Sequence, residues 1–280
     1  MSGLGIIAGG GDLPLAVADA VHESGRPVFI VALSGAADAA IARFPHDWVA
    51  LGEMKKTFKF LRDHDCKDVL LAGRLARPRF SDVKPDSKAF ILLPRILSAA
   101  RKGDDALLRV IVDIFEAEGF RTIGVEEAAP GLLATAGTLG RVTPSSDDEA
   151  DIAHGVKIVR RLGALDVGQA AAVCAGLVLA VEAAEGTDAM IARVASLPEA
   201  IRGTREKPKG VLVKALKPRQ DRKTDLPVIG VQTVLNVVQA GLAGIAVEAS
   251  RALIVNRPAV IEAADAAGLF VVGFPPPESS

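Results

Sequence analysis

Residues 5–33, GIIAGGGDLPLAVADAVHESGRPVFIVAL, carry the pattern that decides the fold class. Two short apolar runs, residues 5–8 and 28–33, have the length of buried strands. Residues 15–23, which lie between them, have helical spacing, and three glycines and an aspartate precede them. A buried strand, a crossover helix and a second buried strand form the unit from which parallel sheets are built. This stretch therefore predicts an α/β fold.

The same alternation continues on the C-terminal side. The spacing of apolar residues predicts further strands over 48–51, 69–72 and 122–125, with helices over 54–64, 87–101 and 105–118. These elements predict a Rossmann-like, three-layer parallel sheet. Residues 126–146 interrupt the pattern because they are rich in Gly, Pro, Thr and Ser.

A second α/β pattern follows this interruption. We expect helices over 147–162, 187–195, 231–240 and 258–267, and strands over 210–216, 226–229, 245–248, 252–255 and 270–273, with one or two more within 171–182. The predicted domains are an N-terminal Rossmann-like domain over residues 1–134 and a C-terminal catalytic, mixed α/β domain over residues 135–280.

The composition excludes several classes of protein. Half of the residues are hydrophobic, but only 4% are aromatic and the net charge is −1, so a general nucleic-acid binder is not expected. Cys66, which follows a polar helix end, and Cys174, which lies in an apolar run, form no disulfide framework or zinc motif. The sequence contains no readable signal peptide and no apolar run that is long enough to span a bilayer, so a cytoplasmic protein is expected.

Glycines and arginines follow two of the predicted N-terminal strands. Gly9, Gly10 and Gly11 precede Asp12, and such a loop either lets backbone N–H groups approach an anion or makes a tight turn. The spacing is not that of a dinucleotide-binding fingerprint or a P-loop. Arg74 follows the predicted strand 69–72, where a guanidinium either binds phosphate or belongs to a solvated charge cluster with Arg77 and Arg79.

The segment between the domains and the region after residue 181 contain further candidates. Thr143, Ser145 and Ser146 are candidate caps of the next helix, whereas Arg141 is free to reach a ligand. Glu182 ends an apolar strand, and Glu185 and Asp188 follow closely. Three carboxylates so close together require neutralisation by basic residues or by a divalent cation, and oxygen ligands favour Mg²⁺ or Mn²⁺. Alternatively, Thr187 or Asp188 caps the helix.

The strongest candidate segment is residues 212–230, LVKALKPRQDRKTDLPVIG. Lys214 and Asp225 adjoin its apolar ends, whereas Arg222 and Lys223 lie in the middle and read as a solvated loop. A carboxylate beside cations is what metal-assisted phosphoryl chemistry requires, so Lys214 and Asp225 are the expected catalytic residues.

Several of these motifs, in this order, resemble the LpxI family of UDP-2,3-diacylglucosamine pyrophosphatases. The matching stretches are AGGGDLP at 8–14, AGRLARP at 72–78, GRVTPSSDDEADIA from about 141, EGTDAMI at 185–191 and KPRQDRKTDLPVIG at 217–230. The resemblance implies magnesium-dependent hydrolysis of UDP-2,3-diacylglucosamine to lipid X (2,3-diacylglucosamine 1-phosphate) and UMP in lipid A biosynthesis. Water would attack the phosphorus on the glucosamine side. The resemblance also implies two α/β domains with the lipid in the cleft between them, and a homodimer.

On this reading, each candidate residue receives an expected role. Asp225, Asp188 and Glu182 are expected to bind Mg²⁺, with Mn²⁺ as an alternative, and Asp225 either binds the metal or orients the attacking water. The residues expected to bind substrate are Gly10, Gly11, Asp12, Arg74, Arg141, Thr143, Thr187, Asp188, Gln220 and Thr233. Apolar walls would accept the acyl chains. A lipid substrate is also compatible with transient contact between the protein and the inner-membrane surface.

Two alternatives stay open at this point. One is a nucleotide-binding oxidoreductase that uses the glycine loop, which predicts NAD(P) binding. The other is a non-catalytic module that binds a lipid or a nucleotide sugar, which would tolerate loss of Asp225.

Overall fold

A computed structural model describes residues 2–75, 83, 85–218 and 226–277, apart from the side chain of Asp104. The chain divides into two compact units, one over Met1–Gly131 and the other over Leu132–Gln220 and Leu226–Ser280. We call them the N-terminal and C-terminal domains. In the described ranges, no helix is both long and apolar enough to cross a membrane.

The N-terminal domain is a doubly wound α/β unit. The described residues of this domain form five strands, which are all parallel and lie in the order β3-β2-β1-β4-β5. This order confirms the predicted Rossmann-like sheet, because the chain winds outward in both directions from β1. The elements are β1 (Gly3–Ala8), α1 (Leu13–Glu23), β2 (Val28–Leu33), β3 (His46–Val49), α2 (Met54–Asp63), β4 (Cys66–Ala72), α3 (Ser87–Ala100), α4 (Asp104–Ala117), β5 (Arg121–Thr122) and α5 (Val125–Ala128).

The central strand of this domain is buried on both faces. Every residue of β1 is buried apart from the partly exposed Ile7, so both faces of the strand are covered, as expected for a parallel strand with helices on either side. Aromatic rings fill the layer on one side, where Phe58 of α2 meets Phe115 of α4 edge-to-face with ring centroids 5.4 Å apart. The carboxyl ends of the neighbouring strands β1 and β4 therefore lie at the point where the strand order reverses.

In the described part of the C-terminal domain, six strands form a mixed sheet with the order β6-β13-β11-β9-β7-β8. Strands β13, β11 and β9 are parallel, whereas β6, β7 and the edge strand β8 pair antiparallel with their neighbours. Strands β10 and β12 form a separate parallel pair. The elements are β6 (Gly137–Thr138), α6 (Ser146–Ala164), β7 (Ala170–Cys174), β8 (Leu177–Val181), α7 (Gly186–Ala195), β9 (Val211–Lys214), β10 (Val228–Ile229), α8 (Val231–Gln239), β11 (Gly244–Glu248), β12 (Leu253–Ile254), α9 (Arg257–Ala266) and β13 (Phe270–Phe274).

The structure shows where two helices of this domain begin. Ser145 caps α6 and forms a capping box with Asp148, so Ser145 rather than Ser146 is the capping residue. Neither Thr187 nor Asp188 caps α7, which is a correction to the sequence-based expectation. That helix already begins at Gly186, and Thr187 and Asp188 therefore lie inside its first turn.

The structure corrects three further expectations. Cys66 is buried as the first residue of β4 rather than following a helix end, and burial raises the pKa of its thiol to about 11. Strand β9 ends at Lys214, and Lys217 lies beyond it in a salt bridge with Asp166. The region predicted as irregular, residues 126–146, contains most of α5, a 3-10 turn over Pro130–Leu132 and β6.

Candidate functional site

A hydrogen-bonded chain of three buried side chains joins the ends of three elements in the C-terminal domain. Nζ of Lys214, at the end of β9, donates to Oγ1 of Thr187 over 2.9 Å. That hydroxyl in turn donates to Oε1 of Glu182 over 2.6 Å. Lys214, Thr187 and Glu182 are 4%, 8% and 7% exposed, so each needs a partner inside the protein. We call this group the Lys214 triad.

The backbone around the triad completes its hydrogen bonds. Oε2 of Glu182 accepts the N–H of Gln169 over 3.0 Å, and Nζ of Lys214 also donates to the carbonyl of Val228 over 3.0 Å. Burying an ammonium and a carboxylate that are linked through a hydroxyl costs less free energy than burying the two charges apart from each other. The triad therefore fixes an ammonium group, paired with a carboxylate through a hydroxyl, where β9, β10 and the start of α7 meet.

The neighbouring candidates Asp188 and Thr233 are held by α8. Oδ1 of Asp188 accepts from Nδ2 of Asn236 over 3.0 Å, which ties the first turn of α7 to α8. Thr233 is buried, and its Oγ1 accepts the N–H of Gly230 over 3.3 Å at the start of α8. Its hydroxyl thus helps to satisfy the helix N-terminus. The substrate-binding roles of both residues stay predictions.

The described carboxylates do not assemble a metal site by themselves. Both oxygens of Glu182 accept hydrogen bonds from protein groups, which makes this residue a poor fit to a metal ligand. Within the described residues, no group of three or more His, Cys, Asp or Glu side chains is arranged to hold a metal ion. The remaining member of the predicted magnesium set, Asp225, lies outside the described residues, as does the predicted substrate residue Gln220.

The glycine loop of the N-terminal domain packs against the turn that follows β4. Gly10 and Arg74 exchange two backbone hydrogen bonds of 2.7 and 2.8 Å. A Cβ atom on Gly9 would lie 2.5 Å from the Arg74 carbonyl oxygen, and one on Gly10 would lie 2.9 Å from the carbonyl oxygen of Ala36. The close approach of neighbouring backbone segments therefore explains why glycine stands at positions 9 and 10.

Gly11 and Asp12 behave differently from the first two glycines. Gly11 has φ +86°, and a Cβ atom there would meet nothing within 4 Å. Asp12 is exposed and stands at the N-cap position of α1, yet its side chain makes no capping hydrogen bond. Of the predicted loop, these two residues are the ones whose surroundings leave room for a ligand.

The predicted ligand residue Arg141 is bound to the protein's own α9. Its backbone N–H donates to Asp265 Oδ1 over 2.7 Å, and its Nε donates to Oδ2 over 3.2 Å. Gly140 leaves room for this contact, because a Cβ atom there would lie 2.6 Å from the same carboxylate. Arg141 is nevertheless highly exposed, and Thr143 is exposed as well. The structure thus gives Arg141 an anchoring contact that sequence reasoning did not anticipate.

Glu248 is a buried acidic residue that sequence reasoning missed. It is 2% exposed at the end of β11, where its Oε2 accepts the N–H of Leu216 over 3.0 Å. Its Oε1 lies 3.6 Å from Arg160 and 3.5 Å from Arg251. The carboxylate holds the chain just after β9, near the start of the segment that continues toward Asp225. The only signal in the sequence is an acidic residue at the end of an apolar run.

Comparisons with known proteins cover nearly the whole chain. Residues 3–132 match the LpxI N-terminal domain and residues 135–272 match the LpxI C-terminal domain. Over 278 residues the chain is 50% identical to the UDP-2,3-diacylglucosamine pyrophosphatase LpxI of Caulobacter vibrioides, and the alignment spans 99% of each protein. The chain therefore belongs to the LpxI family.

Proposed function

We propose that this chain hydrolyses the pyrophosphate bond of UDP-2,3-diacylglucosamine and releases lipid X and UMP, a step of lipid A biosynthesis. The observation that carries the proposal is the full-length, 50% identity to a relative that bears this activity in its name. The buried Lys214 triad supports it, because an ammonium fixed at strand and helix ends is suited to stabilising phosphate charge.

In the proposed reaction, a water molecule attacks the phosphorus on the glucosamine side. A new P–O bond forms there, the bond from that phosphorus to the bridging oxygen breaks, and UMP leaves with the bridging oxygen. Asp225 either orients the water and accepts its proton or binds the metal, and the ammonium of Lys214, held in place by Thr187, stabilises phosphate charge. Gly11, Asp12 and Arg74 contact the nucleotide or the sugar.

We also propose Mg²⁺ as the cofactor, with Mn²⁺ as a substitute. When bound, the metal would neutralise phosphate charge and lower the pKa of a water molecule. Asp225 and Asp188 are the residues we propose as its ligands. Glu182 fits this role less well, because both of its oxygens already accept hydrogen bonds from the protein.

The deciding experiment incubates the purified protein with UDP-2,3-diacylglucosamine, with Mg²⁺ and then with EDTA. We expect UMP and lipid X with Mg²⁺ and neither with EDTA. In water enriched in ¹⁸O, we expect the label in the phosphate of lipid X and not in UMP. If the substrate is unchanged with and without metal, the hydrolase proposal is wrong, whereas label in UMP overturns only the site of attack.

Asp225→Ala and Arg222→Ala form a matched pair in the same segment. We expect Asp225→Ala to lower kcat by at least about a hundredfold, as loss of a general base does, and Arg222→Ala to stay within about threefold of the wild type. Full turnover by Asp225→Ala would defeat the site assignment while leaving the activity intact.

The alternatives predict other results. A nucleotide-binding oxidoreductase predicts NAD(P) binding, and Gly9 and Gly10 disfavour it because other backbone segments already occupy the space beside them. A non-catalytic binding module predicts that Asp225→Ala retains its function. We further propose a cytoplasmic homodimer. Light scattering on the purified protein tests the dimer, and fractionation of cells tests the location.

A further inference from the structure

Helix α3 exposes apolar side chains on a surface that carries positive charge. Phe90 and Ile91 are 68% and 76% exposed, and Pro94 is exposed on the same side of the helix. Residues 90, 91 and 94 share one face because an α-helix has 3.6 residues per turn. A cluster of large exposed apolar side chains on one helix face indicates an interaction surface.

The charges of this helix are all of one sign. All of Ser87–Ala100 is described, and it contains the cations Lys88 and Arg95 and no Asp or Glu. Arg101 and Lys102 follow directly and are both exposed. We call the exposed residues Phe90, Ile91, Pro94, Arg95, Arg101 and Lys102 the α3 face. A face that combines apolar and basic residues is typical of helices that bind in the membrane interface.

The neighbouring helix α2 extends the basic surface. Lys55, Lys59 and Arg62 line a shallow groove that also includes Lys88 of α3. Lys88 lines a second groove as well, with Ile91 and Arg95, so the basic and apolar parts are continuous.

Among the described residues, four carboxylates lie beside these cations and reduce the net charge without reversing it, and one of them is Asp86, the N-cap of α3, which accepts the backbone N–H groups of Lys55 and Lys88. Asp63 pairs with Lys59, Asp113 pairs with Arg95, and Glu118 is shared by Arg62 and Lys88. None of these acids belongs to α3, and Glu118 is itself largely shielded by its partners. The exposed charges of the α3 face therefore remain cationic.

We propose that the α3 face docks on an anionic lipid surface, with Phe90 and Ile91 entering the interface and the basic residues meeting the lipid phosphates. A second copy of the chain fits this face less well. A two-fold interface centred on α3 would place the same cationic helix against itself, with no acidic residue on α3 to pair with. Anionic headgroups supply the missing negative charge. The proposal is independent of the hydrolase activity, because binding to vesicles requires no turnover.

Vesicle flotation with the full chain tests this proposal. We compare vesicles of phosphatidylcholine alone with vesicles that also contain phosphatidylglycerol. The wild type should bind the anionic vesicles, bind phosphatidylcholine alone much more weakly, and be released by high salt. Wild-type protein that binds neither type of vesicle overturns the proposal, and so does equal binding to both.

Two variant pairs locate the contact. Phe90→Ser/Ile91→Ser should weaken binding at least about fivefold through lost apolar burial, whereas Leu165→Ser, which replaces a side chain that is 74% exposed elsewhere, should bind like the wild type. Arg101→Glu/Lys102→Glu should weaken binding about tenfold, whereas Lys157→Glu/Arg161→Glu on α6 should have a much smaller effect.

Two outcomes of these variants overturn the assignment. One is wild-type vesicle binding by both α3 variants. The other is a change from dimer to monomer in Phe90→Ser/Ile91→Ser, measured by light scattering, which would make the face a contact between copies. Circular dichroism shows whether the variants are folded. Hydrolysis of detergent-dispersed substrate measures the proposed activity without vesicles, so loss of vesicle binding is distinguished from loss of activity.

Discussion

At the scale of single residues, the Thr187 hydroxyl holds the candidate site together. It accepts a hydrogen bond from Lys214 and donates one to Glu182, so one oxygen atom links two opposite charges that are both buried. Loss of this oxygen would leave each charge without one of its partners. A buried polar group that loses a partner costs about 1–3 kcal/mol.

Thr187→Val and Thr187→Ser test the importance of this hydroxyl. Valine has nearly the same shape without the oxygen, and serine keeps the oxygen but loses a methyl group. We expect Thr187→Val to lower the free energy of unfolding by about 1–3 kcal/mol relative to Thr187→Ser and to lower kcat more than serine does. Urea denaturation and steady-state kinetics measure both effects. Equal values for the two variants would show that the hydroxyl link is unimportant.

At the scale of elements, the ends of β1 and β4 are locked by close backbone contact. Gly9 packs against the Arg74 carbonyl, and Gly73 has φ +93° with its Cβ position 2.7 Å from the Gly10 carbonyl oxygen. Only glycine tolerates both the approach and the positive φ. The loop and the turn are therefore a single unit, which fixes the point where the strand order reverses.

Gly9→Ala should disturb this unit, and Gly25→Ala is a matched control. Gly25 also has positive φ, but a Cβ atom there would meet nothing within 4 Å. We expect Gly9→Ala to destabilise the protein by about 1–3 kcal/mol and to speed hydrogen exchange at the Arg74 amide, which now donates to Gly10. Gly25→Ala should cost about 1 kcal/mol and leave that amide protected. Unchanged exchange in Gly9→Ala would contradict the argument.

At the scale of the whole molecule, we expect the stability of the N-terminal domain to depend on pH through Asp68. This carboxylate is buried on β4 and accepts hydrogen bonds from Arg121 over 2.7 and 3.0 Å and from Arg26 over 2.6 Å. The hydrogen bond from Arg121, supported by Arg26, holds the pKa of Asp68 below its usual range despite the opposing effect of burial. The cluster ties the strands β4 and β5 to the start of β2.

Asp68→Asn should therefore destabilise the protein at neutral pH but not in strong acid. A lowered pKa stabilises the folded state at pH values above about 4, the value for an unfolded aspartate, and this stabilisation is lost as the pH falls through the folded pKa. We expect a loss of about 1–3 kcal/mol at pH 7 that shrinks toward zero as the pH falls through the lowered pKa of folded Asp68. Urea denaturation across this range measures it.

Asp19→Asn is the control for this pH dependence. Asp19 pairs with Arg43 over 2.5 Å, but the two side chains are 41% and 52% exposed. Such a pair contributes about 0–1 kcal/mol because water and salt screen it. A pH-independent effect of Asp68→Asn, or an equal effect of both substitutions, would show that the buried ion cluster does not stabilise the domain.

Much of the fold was predictable because buried parallel strands have a strong local signal. The apolar run at residues 28–33 becomes β2 with those bounds, and the two α/β domains follow from repeated alternation of such runs with helical patterns. The start of β4 was missed because Cys66, Lys67 and Asp68 look polar in a local window. Asp68 is buried only because arginines 42 and 53 residues away meet it.

The sequence by itself determined the α/β class, the parallel N-terminal sheet, the family resemblance and the choice of Lys214, Thr187 and Glu182 as candidates, since composition, periodicity and motif order are local properties of the chain. Only the tertiary structure decided how these side chains are used. Glu182 holds Thr187 and Gln169, Arg141 binds Asp265, and Gly9 serves backbone packing. A hydrogen-bond partner is chosen by which strands and helices end side by side, and that proximity comes from pairing between distant parts of the chain.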